Sequence, residues 1–587
     1  MRAITALAWI IIFLLSQLLS AQPTTWRALA NRIPGGLEER RLGHLEQDYT
    51  VEEVEPNLLK MTHKLTGMVK YVDITNHTVD LNKLASNPNV QVIDLTNVDT
   101  TLYNWKYVRK NMFPIGNLDG YPMAVGDFNN NGQLDLAGSY KIINDFEFAD
   151  CAIAELQNDS TFAIQKIYLD STQIALQGTD VDLDGLLELN LKRNAQHFAN
   201  YEQTHPDSFP DSLMFLHRMW EFGGQVASET FTDLDNDIYT DVLYVGTDSS
   251  QQCCHQVFVA EYDTSTGDFK RRFGVIPSPD WIVSGFSVGD FDGDGFKEFA
   301  TGSGAAFSHV YIWENTGNDS YTQVYVDTLT TGNAYMTTTT NDIDGNGKIE
   351  FFVGGSSFYN GVPASRVYWF EANGNNQYTK VRSIFMLGTD VLGFTELYSY
   401  DINSDGIDDL VFSFSFLIVM LIWNPATQQF DIYYVDQWEN YDQEIHSLNM
   451  IDVFSSGNLN LFVNIADYYT PPTVRTYLYT LKVTTGIQNT SPIIAQFYLY
   501  QNYPNPFNRS TQISFYIPMR EKIALKIYDL FGKEVKTVIN EQYYAPGEHT
   551  IKWTGLNNDG KEVSSGIYLY VLQAGSRREV RKMLLIK

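Results

Sequence analysis

The sequence has few cysteines, few positive charges and none of the short motifs that mark common enzymes. Forty lysines and arginines stand against 70 aspartates and glutamates, which gives a formal net charge of −30. No basic stripe with interleaved aromatic residues lies outside the tail, which argues against a nucleic-acid partner. No Gly-x-Ser-x-Gly elbow, phosphate loop, His-Glu-x-x-His or nucleotide fingerprint is present. The composition therefore gives no direct indication of catalysis.

The three cysteines leave their pairing open. Cys253 and Cys254 are neighbours, and Cys151 lies about a hundred residues earlier. A strained vicinal disulfide and one pair plus a free thiol are both compatible with an odd count. A Cys-His nucleophile made of Cys254 and His255 is disfavoured, because adjacent residues of a strand point to opposite faces.

What the chain has instead is a repeated acidic loop. In the segment from Asp290 to Glu298, oxygen-bearing side chains occupy positions 1, 3, 5 and 9, and Gly295 occupies position 6. A hard cation such as Ca²⁺ needs about six to eight oxygen ligands, and a chain supplies them locally by curling around the ion. An EF-hand is excluded, since it requires Glu at position 12 and flanking helices. Position 12 is here Gly138, Leu191, Thr301 or Val353, and strand-like runs follow.

Six loops share this register, so we expect up to six Ca²⁺ ions. The third has Ile238 in place of the glycine, and a seventh, Asp452 to Asn460, has Phe454 and Ser456 at positions 3 and 5 and is predicted to keep the turn without the metal. The predicted ligands are Asp127, Asn129, Asn131, Gln133 and Asp135; Asp180, Asp182, Asp184, Leu186 and Glu188; Asp233, Asp235, Asp237, Tyr239 and Asp241; Asp290, Asp292, Asp294, Phe296 and Glu298; Asp342, Asp344, Asn346, Lys348 and Glu350; Asp401, Asn403, Asp405, Ile407 and Asp409.

The spacing of the loops predicts the architecture. Their first aspartates lie at positions 127, 180, 233, 290, 342, 401 and 452. Four short strands with their turns fill a period of about 50 residues, so seven units suggest an all-β fold with a seven-bladed β-propeller. The last unit has no fourth strand of its own. We expect residues of about 102–110 to supply it and close the ring, which hides both sheet edges.

These repeats resemble the FG-GAP or VCBS family, the calcium-loop propeller repeats of integrin alpha chains and of many secreted bacterial proteins. The resemblance covers residues 101–485. It implies Ca²⁺ at the hairpin between the first and second strands of each blade, and it does not imply one function.

The two ends of the chain differ from the repeats. An uncharged run from Ala3 to Leu19, followed by Ser20 and Ala21, predicts a signal peptide over 1–21, with an uncleaved membrane anchor as the alternative. After cleavage we expect no stable transmembrane span. Residues 22–100 form an N-terminal segment whose structure the sequence does not indicate.

The C-terminal part is a separate domain. Residues 486–494 are a predicted linker, and 495–587 contain alternating strands typical of a small Ig-like β-sandwich. The run Leu499-Tyr-Gln-Asn-Tyr-Pro-Asn-Pro-Phe-Asn508 resembles the start of type IX secretion sorting domains, and the domain is similar to the Ig-like domain of flagellar hook-capping proteins. The resemblance implies a type IX-like secretion machinery as partner and a secreted or outer cell-surface location.

Two functions fit this organisation. One is a calcium-stabilised surface propeller that binds an extracellular glycan or protein. The alternative is a carbohydrate-active enzyme, a polysaccharide lyase or hydrolase, for which His197, His205 and His309 are candidate residues. Residues 191–220 depart from the repeat pattern and are predicted to be a long loop, either a tolerated insertion or a binding surface.

Overall fold

The computed structural model is nearly all β. It describes residues 25–586 except 65–68, 104–105, 118–120, 144–147, 158–160, 169–173, 194–196, 219–225, 238, 247–255, 276–284, 305–307, 394, 439–442, 454–457, 468–472, 482–497, 500–501, 503–504, 506, 518–520, 530–531, 545–546 and 575–576. The predicted signal peptide, the linker, and Cys253 and Cys254 lie outside the described residues. Two compact units divide the chain, residues 1–481 and 482–587.

The first unit contains seven successive antiparallel meanders, numbered here sheets 1 to 7. Their strands are Ala124–Gly126, Asp135–Ile143, Phe148–Leu156 and Phe162–Tyr168; Ile174–Thr179, Glu188–Arg193, His197–Glu202 and Ser212–Arg218; Val226–Thr232, Asp241–Gly246, Gln256–Asp263 and Asp268–Val275; Ser287–Gly289, Glu298–Gly302, His309–Gly317 and Ser320–Thr328; Met336–Thr340, Glu350–Tyr359, Val362–Gly374 and Gln377–Leu387; Thr395–Tyr400, Asp409–Phe414, Leu417–Asn424 and Gln429–Gln437; Gln443–Ile451, Asn460–Asp467 and Thr473–Leu481.

The second and fourth strands of the sheets differ in burial, which explains their different patterns of apolar and polar residues. The second strands, such as Asp241–Gly246, are buried at every position, as expected where both faces of a sheet are covered by neighbouring sheets. The fourth strands, such as Ser320–Thr328, alternate more and expose much of their length. Each sheet contacts the next, and sheet 7 contacts sheet 1. The sheets therefore form a closed, propeller-like ring.

The strand that completes sheet 7 comes from before sheet 1. Tyr107–Phe113 pairs antiparallel with Thr473–Leu481, so that Thr476 faces Phe113 and Leu481 faces Tyr107. The strand expected at about 102–110 thus begins later, because a 3₁₀ turn occupies Thr100–Leu102.

The segment predicted as a long loop at 191–220 is instead part of sheet 2, and that prediction was wrong. Its third and fourth strands, His197–Glu202 and Ser212–Arg218, pair antiparallel with one register shift between Asn200 and Tyr201. The unusual composition misled the sequence interpretation, since the alternation of Ala199 and Tyr201 toward the core is interrupted by polar residues. Among the described residues of this segment, the connection from 203 to 211 is the longer turn.

Residues 26–74, named here the N-terminal cap, fold into a small α/β layer on the ring. The cap contains helices Trp26–Leu29 and Glu39–Asp48 and a sheet of strands Tyr49–Glu55, Leu58–His63 and Val69–Asp73. Its apolar core includes Phe358, Val391 and Leu392 of the ring. The following residues add strands Asn76–His77 and Val90–Asp94 to sheet 5, on either side of helix Leu81–Ala85.

The cap covers the end of the ring where the first strands begin. Asn333, just before the first strand of sheet 5, donates to the carbonyl of Asp73 at 3.0 Å and accepts from its N–H at 2.8 Å. Arg41 contacts Asp390, which precedes the first strand of sheet 6, at 3.0 Å. The acidic loops follow the first strands, so they lie at the opposite end.

The second unit is a two-sheet β-sandwich. One sheet contains Tyr498–Leu499, Thr511–Ile517 and Gly547–Trp553, and the other contains Glu534–Tyr544, Glu521–Asp529, Gly566–Ala574 and Arg577–Leu585. Both sheets contribute to one apolar core, which includes Phe515, Trp553 and Tyr570. Within the part of the chain that the structure describes, no helix is long and apolar enough to cross a membrane.

Candidate metal centres

Six acidic loops connect the first and second strands of sheets 1 to 6. Position 2 of each loop is an apolar residue that is almost fully buried, and position 9 is the first residue of the second strand. The position-2 residues are Phe128, Val181, Leu234, Phe291, Ile343 and Ile402. This anchor, which the sequence interpretation did not use, fixes both ends of the loop against the sheet.

Inside each loop the position-1 carboxylate organises the turn. In the fourth loop Asp290 accepts hydrogen bonds from the N–H groups of Asp294 at 3.1 Å and Gly295 at 3.1 Å. Gly295 has φ of +97° and Gly293 has φ of +77°, a region that glycine adopts without steric cost. Position 4 has positive φ in all six loops, through Asn130, Leu183, Asn236, Gly293, Gly345 and Ser404. The curled backbone brings the side chains of positions 1, 3 and 9 together.

The position-9 carboxylate uses one oxygen to hold the loop. That oxygen accepts the N–H of the position-2 residue, at 2.6 Å between Phe291 and Glu298 and at 2.5 to 3.1 Å in the other five loops. In five loops the second carboxylate oxygen is buried and has no hydrogen-bond partner among the described residues. These oxygens are Oδ1 of Asp135, Oε1 of Glu188, Oδ1 of Asp241, Oε1 of Glu298 and Oε1 of Glu350.

Four loops bring carboxylate oxygens within 4.8 Å of one another. The groups are Asp180, Asp182, Asp184 and Glu188; Asp233, Asp235 and Asp241; Asp290, Asp292, Asp294 and Glu298; Asp342, Asp344 and Glu350. Burial, opposed in part by the N–H of Phe291 and reinforced by Asp292 and Asp290, raises the pKa of Glu298 to about 8. A buried carboxylate without a compensating partner is costly. The donor set, all hard oxygens with one left unmet, fits a hard divalent cation.

The sixth loop differs from the other five. Asp409 accepts from Ile402 at 3.1 Å through one oxygen and from Trp423 at 3.0 Å through the other. Both oxygens are therefore engaged by backbone N–H groups. Asp401, Asn403 and Asp405 keep the loop turn. The site nevertheless has fewer unsatisfied oxygens for a cation than its sequence suggests.

The first loop has amides at both position 3 and position 5, whereas each of the other loops has at least one carboxylate there. Asn131 and Asn129 donate through their Nδ2 atoms to Glu155, at 2.5 and 3.2 Å. Only Asp127 and Asp135 contribute negative charge from the predicted set. Like the carboxylate-rich loops, the first loop has a buried position-9 oxygen, Oδ1 of Asp135, without a hydrogen-bond partner among the described residues.

A glutamate on the third strand lies beside five of the loops and was missed from the sequence. Glu155, Glu202, Glu261 and Glu314 are the cross-strand partners of the position-9 acids. Glu371 follows Phe370, the partner of Phe351, and so holds the same place in sheet 5. In sheet 6, Ile422 follows Leu421, the partner of Leu410. The distance from the position-9 acid to this Glu varies from 14 to 21 residues, so the strand register identifies it where spacing along the chain does not.

The remaining predicted residues have simpler outcomes. At position 7, Gln133, Leu186, Tyr239, Phe296, Lys348 and Ile407 each donate their backbone N–H to the position-5 side chain. A backbone N–H does not ligate a cation, so the ligand atom that all six position-7 residues share is the backbone carbonyl oxygen. Residues 454–457 of the seventh loop lie outside the described part of the chain.

The candidate catalytic histidines are not gathered at one place. His197 begins the third strand of sheet 2, and His205 lies beyond the other end of that strand, in the turn facing the loops. His309 begins the corresponding strand of sheet 4. The strand arrangement therefore does not bring these three side chains to a common pocket.

Comparisons with known families agree with this geometry. The FG-GAP-like repeat family matches residues 233–301 and 342–412, which contain the third to sixth loops. The secretion system C-terminal sorting domain family matches residues 501–587, the β-sandwich of the second unit. The chain carries FG-GAP-like repeats and a C-terminal sorting domain. Such a sorting domain directs export to the cell surface or out of the cell.

Solved structures resemble the FG-GAP-like chain only distantly. PorZ, a surface component of the type IX secretion system of Porphyromonas gingivalis, is 12% identical with a TM-score of 0.31, over 94% of this chain and 77% of PorZ. BBS1N, solved in complex with ARL6DN, is 8% identical with a TM-score of 0.38, over 65% and 99%. The allergen Mala s 1 of Malassezia sympodialis is 8% identical with a TM-score of 0.33, over 53% and 95%. No curated protein matches the sequence.

Proposed function

We propose that this exported protein is a Ca²⁺-stabilised β-propeller that binds an extracellular glycan or protein ligand. The observation that carries the calcium assignment is the unmet, buried position-9 oxygen, which recurs in five loops. Ca²⁺ takes oxygen ligands in flexible geometry, and extracellular modules bind it at about 10⁻⁴ to 10⁻³ M. The loops would then fill after export and stabilise the folded ring by mass action.

The ligand site that the geometry favours lies between the N-terminal cap and sheets 5 and 6. A cavity of about 470 Å³ opens there, within the size range of small-molecule sites. Arg40 and Arg41 line it beside the aromatic rings of Phe416 and Trp438. A stacking surface together with guanidinium hydrogen-bond donors suits a sugar ring, and the backbone N–H of Trp438 donates to the Phe416 carbonyl at 2.8 Å.

The test is binding of the Ca²⁺-loaded protein to a panel of polysaccharides, with size analysis of each polymer afterwards. We expect at least one polymer to bind and to keep its length. Trp438→Ala should weaken binding at least tenfold, and Trp438→Phe should restore most of it, because the ring contact is retained. Equal binding by all three proteins would rule out this cavity as the site. Shortened polymer would support a carbohydrate-active enzyme instead.

A further inference from the structure

Three carboxylates from two neighbouring sheets meet beside the third loop. Asp235 is position 3 of that loop, Glu261 lies on the third strand of sheet 3, and Asp319 lies in the turn between the third and fourth strands of sheet 4. One oxygen of each lies within 4.8 Å of the other two. Asp319 also donates its backbone N–H to Asp235 at 2.8 Å, which fixes the turn of sheet 4 against the loop of sheet 3.

Each of the three residues also has one buried oxygen that no hydrogen bond of the described residues satisfies. Oδ1 of Asp235, Oε2 of Glu261 and Oδ1 of Asp319 are buried and have no hydrogen-bond partner among the described residues. Glu261 is only 5% exposed. Three ionised oxygens at this separation repel one another where water is excluded, so a cation between them would stabilise their convergence.

Arg272 supplies part of that charge but does not reach the unmet oxygens. Its Nη2 contacts Oε1 of Glu261 at 2.7 Å and its Nε lies 3.4 Å from Oδ2 of Asp319. The same Nη2 lies 3.6 Å from Asp263. One guanidinium therefore interacts with three carboxylates. On Glu261 and Asp319 it contacts Oε1 and Oδ2, and not the unmet Oε2 and Oδ1.

The next interface around the ring has the same backbone arrangement with a different side chain. Asn376, in the corresponding turn of sheet 5, donates its backbone N–H to Asp292 at 2.7 Å, as Asp319 does to Asp235. Its side-chain Nδ2 donates to Glu314 at 3.0 Å. Both turn residues have positive φ, 56° for Asp319 and 57° for Asn376. An amide at this position can satisfy the third-strand glutamate, whereas the carboxylate of Asp319 cannot donate to Glu261.

We propose that a divalent cation of the oxygen-preferring class binds between sheets 3 and 4, held by Asp235, Glu261 and Asp319. This inter-sheet site is additional to the loop sites and shares Asp235 with the third of them. It rests on the proposed function in one respect, namely that the loops themselves bind Ca²⁺. It joins two sheets, whereas each loop site lies within one.

The third loop gives a reason for this extra site. Its position-5 residue Asp237 does not belong to the group formed by Asp233, Asp235 and Asp241. The loop also has Ile238 where the other loops have glycine. Carboxylates from the neighbouring strand and turn thus add charge and ligand atoms beside the loop that lacks the position-6 glycine.

The test counts bound Ca²⁺ by equilibrium dialysis and elemental analysis of the full exported chain. Asp319→Asn copies the residue found at the next interface and keeps the turn. We expect it to bind one Ca²⁺ fewer than the wild type while the loop sites stay filled. The matched control is Asp80→Asn, an exposed helix-capping residue where asparagine caps equally well, and its count should not change.

The reciprocal variant separates this site from a general loss of folding. Asn376→Asp places a third carboxylate beside Asp292 and Glu314, and we expect it to bind one Ca²⁺ more. If Asp319→Asn keeps the wild-type count and Asn376→Asp gains none, the inter-sheet site is refuted while the loop sites stand. If the wild type binds no Ca²⁺ at all, the proposed function fails together with this inference.

Discussion

The two ends of the ring bury carboxylates in opposite ways. At the loop end, Glu298 faces Asp290 and Asp292 and retains a buried oxygen without a partner. At the capped end, the equally buried Glu444 accepts from Ser415 at 2.6 Å and from Tyr49 at 3.2 Å, and the ring of His44 lies 3.6 Å away. One end is neutralised by the protein's own groups, whereas at the other the proposed Ca²⁺ ions would supply the positive charge.

The pKa values express this difference. Burial raises the pKa of Glu298 to about 8, and nearby aspartates add to the effect. Burial would also raise the pKa of Glu444, but the hydrogen bond and positive charge of His44, with His446 and Arg41, hold it well below its usual range. The comparison teaches that burial alone does not decide the charge state of a carboxylate, because its neighbours do.

Removal of Ca²⁺ should have the largest effect. A site filled at a hundred times its dissociation constant contributes about 2.7 kcal/mol, so emptying several loops should lower the melting temperature on the order of 20 °C. The measurement is calorimetry in EDTA and again after Ca²⁺ is restored. An unchanged melting temperature would contradict the dependence of the loop end on cations.

Truncation of the buried acid at the capped end should come next. Glu444→Ala leaves His44 and Tyr49 without their shared acceptor, and breaking such a buried network costs about 3 to 5 kcal/mol. Hydrogen exchange of residues 26–74 should accelerate in Ca²⁺ and in EDTA alike. The control is Glu53→Ala, which removes the more exposed pair with Arg32 and should cost less than about 1 kcal/mol. Equal exchange in both variants would sink the idea that Glu444 holds the cap.

Neutralising one loop acid should change stability in opposite directions in the presence and in the absence of Ca²⁺. Glu298→Gln should lower the stability of the Ca²⁺-loaded protein by about 2 to 3 kcal/mol, since one site is lost. In EDTA the same change should be neutral or stabilising, because a buried charge disappears. Denaturant unfolding under both conditions measures the difference.

Asp409→Asn is the matched comparison for that variant. Both oxygens of Asp409 already accept backbone N–H groups, so its effect should be the same with and without Ca²⁺. A sign reversal for Asp409→Asn, or none for Glu298→Gln, would contradict the distinction between the two loops.

Acid should loosen the capped end by a smaller amount. Burial lowers the pKa of His63 to about 3 and of His446 to about 4. Because both folded values lie below the unfolded value of about 6.5, their contribution is complete above that pH and is lost as the pH falls toward 4. Burial also acts to lower the pKa of His44, but its interactions with Asp48 and Glu444 outweigh burial and raise that pKa. His44 therefore opposes the loss of stability on acidification.

Between pH 7 and pH 5.5 we therefore expect the cap to lose about 1 to 2 kcal/mol. Hydrogen exchange of residues 26–74 in saturating Ca²⁺ measures this loss. Exchange in the strands of sheet 4 serves as the internal reference. A cap that becomes more protected on acidification would mean that His44 dominates the network.

Local periodicity made much of the fold predictable. The spacing of the loops from Asp127 to Asp401, with strand-like runs between them, was sufficient to expect an all-β ring with acidic loops between its strands. The match of the sorting domain lay in a contiguous run after Leu499. Signals of this kind lie within one repeat, where spacing along the chain translates directly into geometry.

The features that were missed depend on contacts between distant residues. Tyr49 and Glu444 are 395 positions apart, and no local pattern marks them as partners. Glu314 has no distinguishing feature in the sequence of its strand. Only the strand register shows that it lies opposite Glu298. The engaged oxygens of Asp409 also depend on a strand partner, Trp423, so the loop sequence alone overstated that site.

The strand that completes sheet 7 has a consequence for the order of events in folding. Met112 and Arg475, which meet across this pairing, are 363 positions apart. An early segment of the chain must therefore wait for one of the last strands before the ring can close. Contacts so remote in sequence slow folding, since loop closure precedes any gain. Closure of the ring is therefore expected to be a late step of folding.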